Sequence, residues 1–122
     1  MKKRLLIVED SELSRDLLVQ IFEDAYEIDL AADGITAVEL ATTSGPDLIL
    51  MDVGLPGQDG LDAVRAIRAR PSDVPIVAVS SHVMPGDRER ALAAGCDDFV
   101  PKPVDDVLLI TVVHSLLGVQ AR

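Results

Sequence analysis

Four short apolar runs recur along this chain, and each delivers a polar group at its C-terminal end. Leu5-Leu6-Ile7-Val8 runs into Glu9-Asp10, and Leu48-Ile49-Leu50-Met51 runs into Asp52. Ile76-Val77-Ala78-Val79 ends in Ser80-Ser81, and Phe99-Val100 leads to Pro101-Lys102-Pro103. The runs are continuous rather than alternating, as strands covered on both faces are. Between them the period changes to that of a helix. Leu13, Leu17, Leu18, Ile21 and Phe22 recur at helical spacing after Ser11, a residue suited to cap. Ile28 and Leu30 alternate with Glu27 and Asp29, which predicts a half-exposed edge strand.

The pattern then repeats. Asp33-Gly34 turns the chain into a helix carrying Ala37, Leu40 and Ala41, which stops at Gly45-Pro46. Asp59 is placed to cap a third helix, with Leu61, Val64 and Ile67 inward and Arg65, Arg68 and Arg70 outward. A short helix from about Asp87 ends at Gly95, and a last one runs from about Val104 to Leu117. Strands alternate with helices five times over short loops. That predicts an α/β fold, doubly wound, with parallel strands, right-handed crossovers and helices on both faces of the sheet. In such open sheets the ligand crevice lies outside the carboxyl ends of the strands. Glu9, Asp10, Asp52, Ser80 and Lys102 all fall there.

Composition narrows the function. The chain has 122 residues and is 48% hydrophobic, enough for one core. No apolar stretch approaches the roughly 20 residues of a membrane span. Eleven Lys and Arg against 21 Asp and Glu give a net charge of −10, and aromatics make up 2%. Such a surface repels phosphate backbones and offers no stacking platform, so no nucleic-acid partner is expected. A cytoplasmic location is expected, and the lone Cys96 suits a reducing compartment as a small buried or half-buried thiol.

Three carboxylates crowded together resist ionising at once. A hard divalent cation resolves that conflict, and carboxylate and carbonyl oxygens suit Mg²⁺. Lys102 adds a point charge for an anion and Ser80 a hydroxyl donor. A metal, an ammonium and a hydroxyl around one carboxylate make a phosphoryl-transfer site, with the carboxylate as nucleophile. Each residue alone has a plainer reading: Asp52 as a turn cap, Glu9-Asp10 as a solvated loop, Ser80 as the start of a turn, Lys102 as a surface lysine. Their joint occurrence at successive strand ends outweighs these.

The chain resembles the receiver domains of two-component response regulators, the CheY-like family. The resemblance rests on Leu6-Ile7-Val8-Glu9-Asp10, Pro46-Asp47-Leu48-Ile49-Leu50-Met51-Asp52, Leu55-Pro56-Gly57, Asp59-Gly60 and Lys102-Pro103, and covers nearly the whole chain as one domain. It implies a five-stranded sheet in the order 2-1-3-4-5, a flavodoxin-like arrangement. It implies that Asp52 is the phosphoacceptor, with Mg²⁺ held by Asp10, by Glu9, often through water, by Asp52 and by the carbonyl of Gly54. Glu9 stands where many members have Asp. Ser80 matches the switch hydroxyl and Lys102 the phosphoryl-binding lysine, with the Lys102-Pro103 bond cis. Phe99 matches the switch aromatic, or is a plain core residue of the fifth strand. His82 lies at a variable position and is expected to be an exposed loop residue.

The resemblance further implies partners: a sensor histidine kinase or histidine phosphotransfer protein, and a downstream protein target. Leu13, Ser14 and Leu17 occupy positions that touch the phosphodonor, with Leu17 the most inward of the three. The last helix is apolar nearly all round, so its outward residues, His114 among its few polar ones, are expected to form a homodimer or partner interface. The chain is read as a stand-alone receiver that phosphorylates and dephosphorylates itself. Two rivals fit less well. Phosphatases of the haloacid dehalogenase type need a second acid two residues after the nucleophile, where this chain has Gly54. A receiver-like interaction module that is never phosphorylated has no need of the full acid, hydroxyl and lysine set.

Overall fold

Alternation between buried strand and amphipathic helix persists through the whole chain. The computed structural model describes residues 2–53, 60–81 and 84–118. Its elements are β1 (Lys3–Val8), α1 (Glu12–Phe22), β2 (Tyr26–Ala31), α2 (Gly34–Thr43), β3 (Leu48–Asp52), α3 (Gly60–Arg68), β4 (Ile76–Ser80), α4 (Asp87–Ala94), β5 (Asp98–Pro101) and α5 (Asp106–Leu116). The strands form one sheet in the order β2-β1-β3-β4-β5, and every pairing is parallel. This is the predicted doubly wound order.

The apolar runs do not alternate because both faces of the sheet are covered. Every residue of β3 and β4 is buried. Successive side chains point to opposite faces. Leu6, Val8, Ile49 and Met51 therefore pack with Ala37, Val64, Ile67 and Ala91 from α2, α3 and α4. Leu5, Ile7, Leu48 and Leu50 pack with Leu18, Phe22, Leu109 and Val113 from α1 and α5. At about 25 cal/mol per Å² of apolar area, these two layers supply most of the drive to fold.

Caps aim the helices at one end of the sheet. Ser11 accepts from the Ser14 N–H, Asp33 from Thr36 at 2.7 Å and Asp105 from Leu108 at 3.0 Å. The last two differ from the sequence-based expectation, in which Asp33 makes a turn and the last helix starts at Val104. The thiol of Cys96 is buried, as expected, and burial pushes it up to about 11.

Two helical faces differ from expectation. Leu17 is 51% exposed and Leu13 72%, while Leu18 and Phe22 are buried. The inward stripe of α1 is the Leu18–Phe22 pair four residues apart, and Leu17 sits a third of a turn away from it. Arg68 does not point to solvent. It donates to the carbonyls of Gly95 at 3.0 Å and Ser72 at 3.3 Å, and pairs with Asp97 at 3.1 Å. The last turn of α3 abuts the connection between α4 and β5, and a guanidinium fork suits those acceptors. Asp59 and the loop Leu55-Pro56-Gly57 lie outside the described residues. Among the described residues, no helix is long and apolar enough to cross a membrane.

Candidate functional site

Residues at the carboxyl ends of the central strands build the site. The Glu9 N–H donates to the Ala31 carbonyl at 2.9 Å, continuing the ladder one residue past β1. This holds Glu9 at the sheet end, where it is 1% exposed, while Asp10 stands in solvent. Asp52 is the last residue of β3 and is buried. Gly60 opens α3 directly over it. A Cβ at Gly60 would meet the Asp52 carbonyl oxygen and come within 2.5 Å of the Val53 Cα. Only glycine lets the helix start this close to the strand end.

Ser80 ends β4 and is buried. Its carbonyl accepts from the Lys102 N–H at 2.8 Å, which fastens the exit of β5 to β4. Lys102 then turns back over the strand ends. Its Nζ lies 2.5 Å from Glu9 Oε1 and 3.7 Å from Asp52 Oδ2. The Lys102-Pro103 bond is cis, as the resemblance implied.

Glu9, Asp10 and Asp52 each offer a carboxylate oxygen, all within 4.8 Å of one another. Burial pushes the Glu9 carboxyl above its ordinary range, and the contact with Asp52 adds to the rise. Lys102 and the Ser11 N–H pull in the opposite direction and do not cancel it. Three carboxylates thus face one ammonium. The donor set is all oxygen, and the excess negative charge fits a small divalent cation. The pairing of Lys102 with Glu9 was invisible in the sequence, because the partners are 93 positions apart.

The other candidates are more scattered. Phe99 is buried among Ala91, Ala94 and Cys96, with its ring in the core. A groove of about 740 Å³ runs from Lys102 along α1, lined by Ser14, Leu17, Leu18, Ile21 and Val104. On α5, Val107 and Leu108 are exposed, as are Thr111 and Ser115. The remaining apolar residues of that helix are buried or half-buried, so its outward apolar surface is concentrated in the first turn. His114 is half-buried, its ring 6.1 Å from that of Tyr26, and it stands two turns along the helix from Val107 on the same stripe. Gly54 and His82 lie outside the described residues.

Known proteins resemble this chain in sequence and fold. The response regulator receiver domain family matches residues 5–114. The chain is 39% identical over 119 residues to the response regulator PleD of Caulobacter vibrioides, covering 95% of this chain but only 26% of PleD. It is 36% identical over 121 residues to the polar-differentiation response regulator DivK of Brucella anthropi, covering 97% of this chain and 98% of DivK. The receiver domain of sensor histidine kinase PA1611 from Pseudomonas aeruginosa superposes with a TM-score of 0.89 at 36% identity, over 97% of this chain and 99% of that one. That structure has a magnesium ion coordinated in its active-site cleft. A parallel sheet in the order 2-1-3-4-5, an acidic cluster at its carboxyl edge and these likenesses converge: the chain belongs to the receiver domain family of two-component response regulators.

Proposed function

We propose that the whole chain acts as one receiver domain whose Asp52 accepts a phosphoryl group from a phosphohistidine. The donor is a sensor histidine kinase or a histidine phosphotransfer protein. An Asp52 oxygen attacks phosphorus, the P–N bond breaks, and the electron pair leaves with the imidazole, which takes up a proton. The product is an acyl phosphate on Asp52, which water slowly hydrolyses. The observation that carries this reading is the placement of Asp52 against Lys102, at 3.7 Å, inside a three-carboxylate cluster.

Glu9, Asp10 and Asp52, with the Gly54 carbonyl, would hold Mg²⁺. Bound there, it offsets the carboxylate repulsion and draws charge from the phosphoryl oxygens. Lys102 gives part of its interaction with Glu9 to the arriving phosphoryl group. Ser80 donates its hydroxyl to a phosphoryl oxygen, and Phe99 follows that movement as the switch aromatic. Shifting a two-state population in this way changes the partner-binding face.

The groove beside α1 supports a docking role for Ser14 and Leu17, which line it together with Lys102, and exposed Leu13 stands one turn before Leu17 on the same helix. The output side is a downstream protein or a second copy, met through the exposed first turn of α5. His114, half-buried against Tyr26, lies on the same stripe as Val107 and would join that surface from two turns further along. Phosphotransfer from the host's autophosphorylated histidine kinases tests the reading. At least one should label the wild type in a Mg²⁺-dependent, hydroxylamine-sensitive form, and none should label Asp52→Asn.

A further inference from the structure

Arg88, in the first turn of α4, reaches onto the edge of β5. Its Nη1 lies 3.1 Å from Asp98 Oδ1 and donates to the Phe99 carbonyl at 3.4 Å. The same Asp98 oxygen accepts the Phe99 N–H at 2.8 Å. The Lys102 N–H bonds to β4, so the period of two turns the backbone groups of Phe99 away from the sheet. An edge strand leaves such groups to water or to side chains. Here one guanidinium–carboxylate pair takes both.

The two ends of α4 are held differently. Beyond its C-terminal end, Arg68 donates to the Gly95 carbonyl and pairs with Asp97, whose Oδ2 also takes the Ile76 N–H at 2.9 Å. Before its N-terminal end stands Gly86, at φ 90, with no side-chain cap bond. Among the described residues, the Asp87 side chain bonds only locally, to Met84 and Arg90. The far end of α4 is thus clamped, while the near end reaches the sheet through Arg88.

We propose that Arg88 is a positioning residue that couples the switch strand to α4. A displacement of β5 at Phe99, three residues from Lys102, pulls on the first turn of α4 through the Phe99 carbonyl and the Asp98 carboxylate. The surface of α4 then reports the state of the site. This rests on the reading of Asp52 as phosphoacceptor, and the reaction itself does not use Arg88.

Amide NMR with Mg²⁺ and beryllofluoride as the phosphoryl probe separates the two ideas. In the wild type, amides near Asp52 and Lys102 and those of residues 87–91 should all shift. In Arg88→Gln the site amides should shift as before, while residues 87–91 lose most of their response. Arg88→Lys keeps a charge for Asp98 without the planar fork and should restore part of it. The Arg88 side chain is 54% exposed, so these variants should retain the dispersed spectrum of the fold. An undiminished α4 response in Arg88→Gln would overturn the inference. Silent site amides in the wild type would overturn the phosphoacceptor reading and this inference with it.

Discussion

Glu9 is an acid whose ionisation is at odds with its surroundings. Its folded pKa lies above its ordinary value because burial and then Asp52 disfavour the charged form. The protonated side chain therefore favours the fold. That contribution is fully present below the ordinary value of 4.5 and is lost as pH rises through the folded pKa. Glu9→Gln carries no such penalty. In chelator at neutral pH it should melt above the wild type, and the difference should close as pH falls toward 4.5; a pH-independent difference would contradict this. Asp10 is exposed and acts on the same cluster from outside. Asp10→Ala should weaken Mg²⁺ binding at least tenfold, about 1.4 kcal/mol, by titration calorimetry, without lowering metal-free stability.

At the scale of elements, Gly60 at the start of α3 has the closest neighbours among the described glycines. Adding a methyl at Gly60 forces backbone against backbone at Asp52 and Val53, where no flexible side chain gives way. Gly60→Ala should cost about 1–3 kcal/mol in denaturant unfolding and slow phosphorylation by moving the strand end. A neutral result would mean that α3 slides freely over the site. Element placement was legible in the sequence where burial left no choice. β3 and β4 are buried on both faces, and their unbroken apolar runs show it. The helical faces were less legible. Leu13 and Leu17 share the spacing of core residues but stand exposed, Leu17 in a groove wall, and hydrophobicity alone does not mark which stripe faces the sheet. Arg68 reads as an outward residue until α3 is set against the α4–β5 connection.

For the molecule as a whole, parallel order and short crossovers bring residues from distant segments to one edge. The carboxylates and Lys102 were legible as a set because each comes at the end of a strand. Which pairs with which was not, since Lys102 meets Glu9 only in the folded sheet. The outer surface has a simpler test. Val107 and Leu108 expose apolar area at the start of α5, so Leu108→Asp should reduce self-association or target binding of the phosphorylated protein. Sedimentation velocity showing no change, with unchanged target binding, would remove that face from the output. Asp52 is expected to be the one acceptor of the proposed reaction. The direct measurement treats the protein with an acyl phosphate and Mg²⁺, reduces the product with borohydride and maps the modified residue by mass spectrometry. The expected product is homoserine at position 52 alone, absent without Mg²⁺ and absent in Asp52→Asn. Modification at another carboxylate, or undiminished labelling of Asp52→Asn, would contradict it.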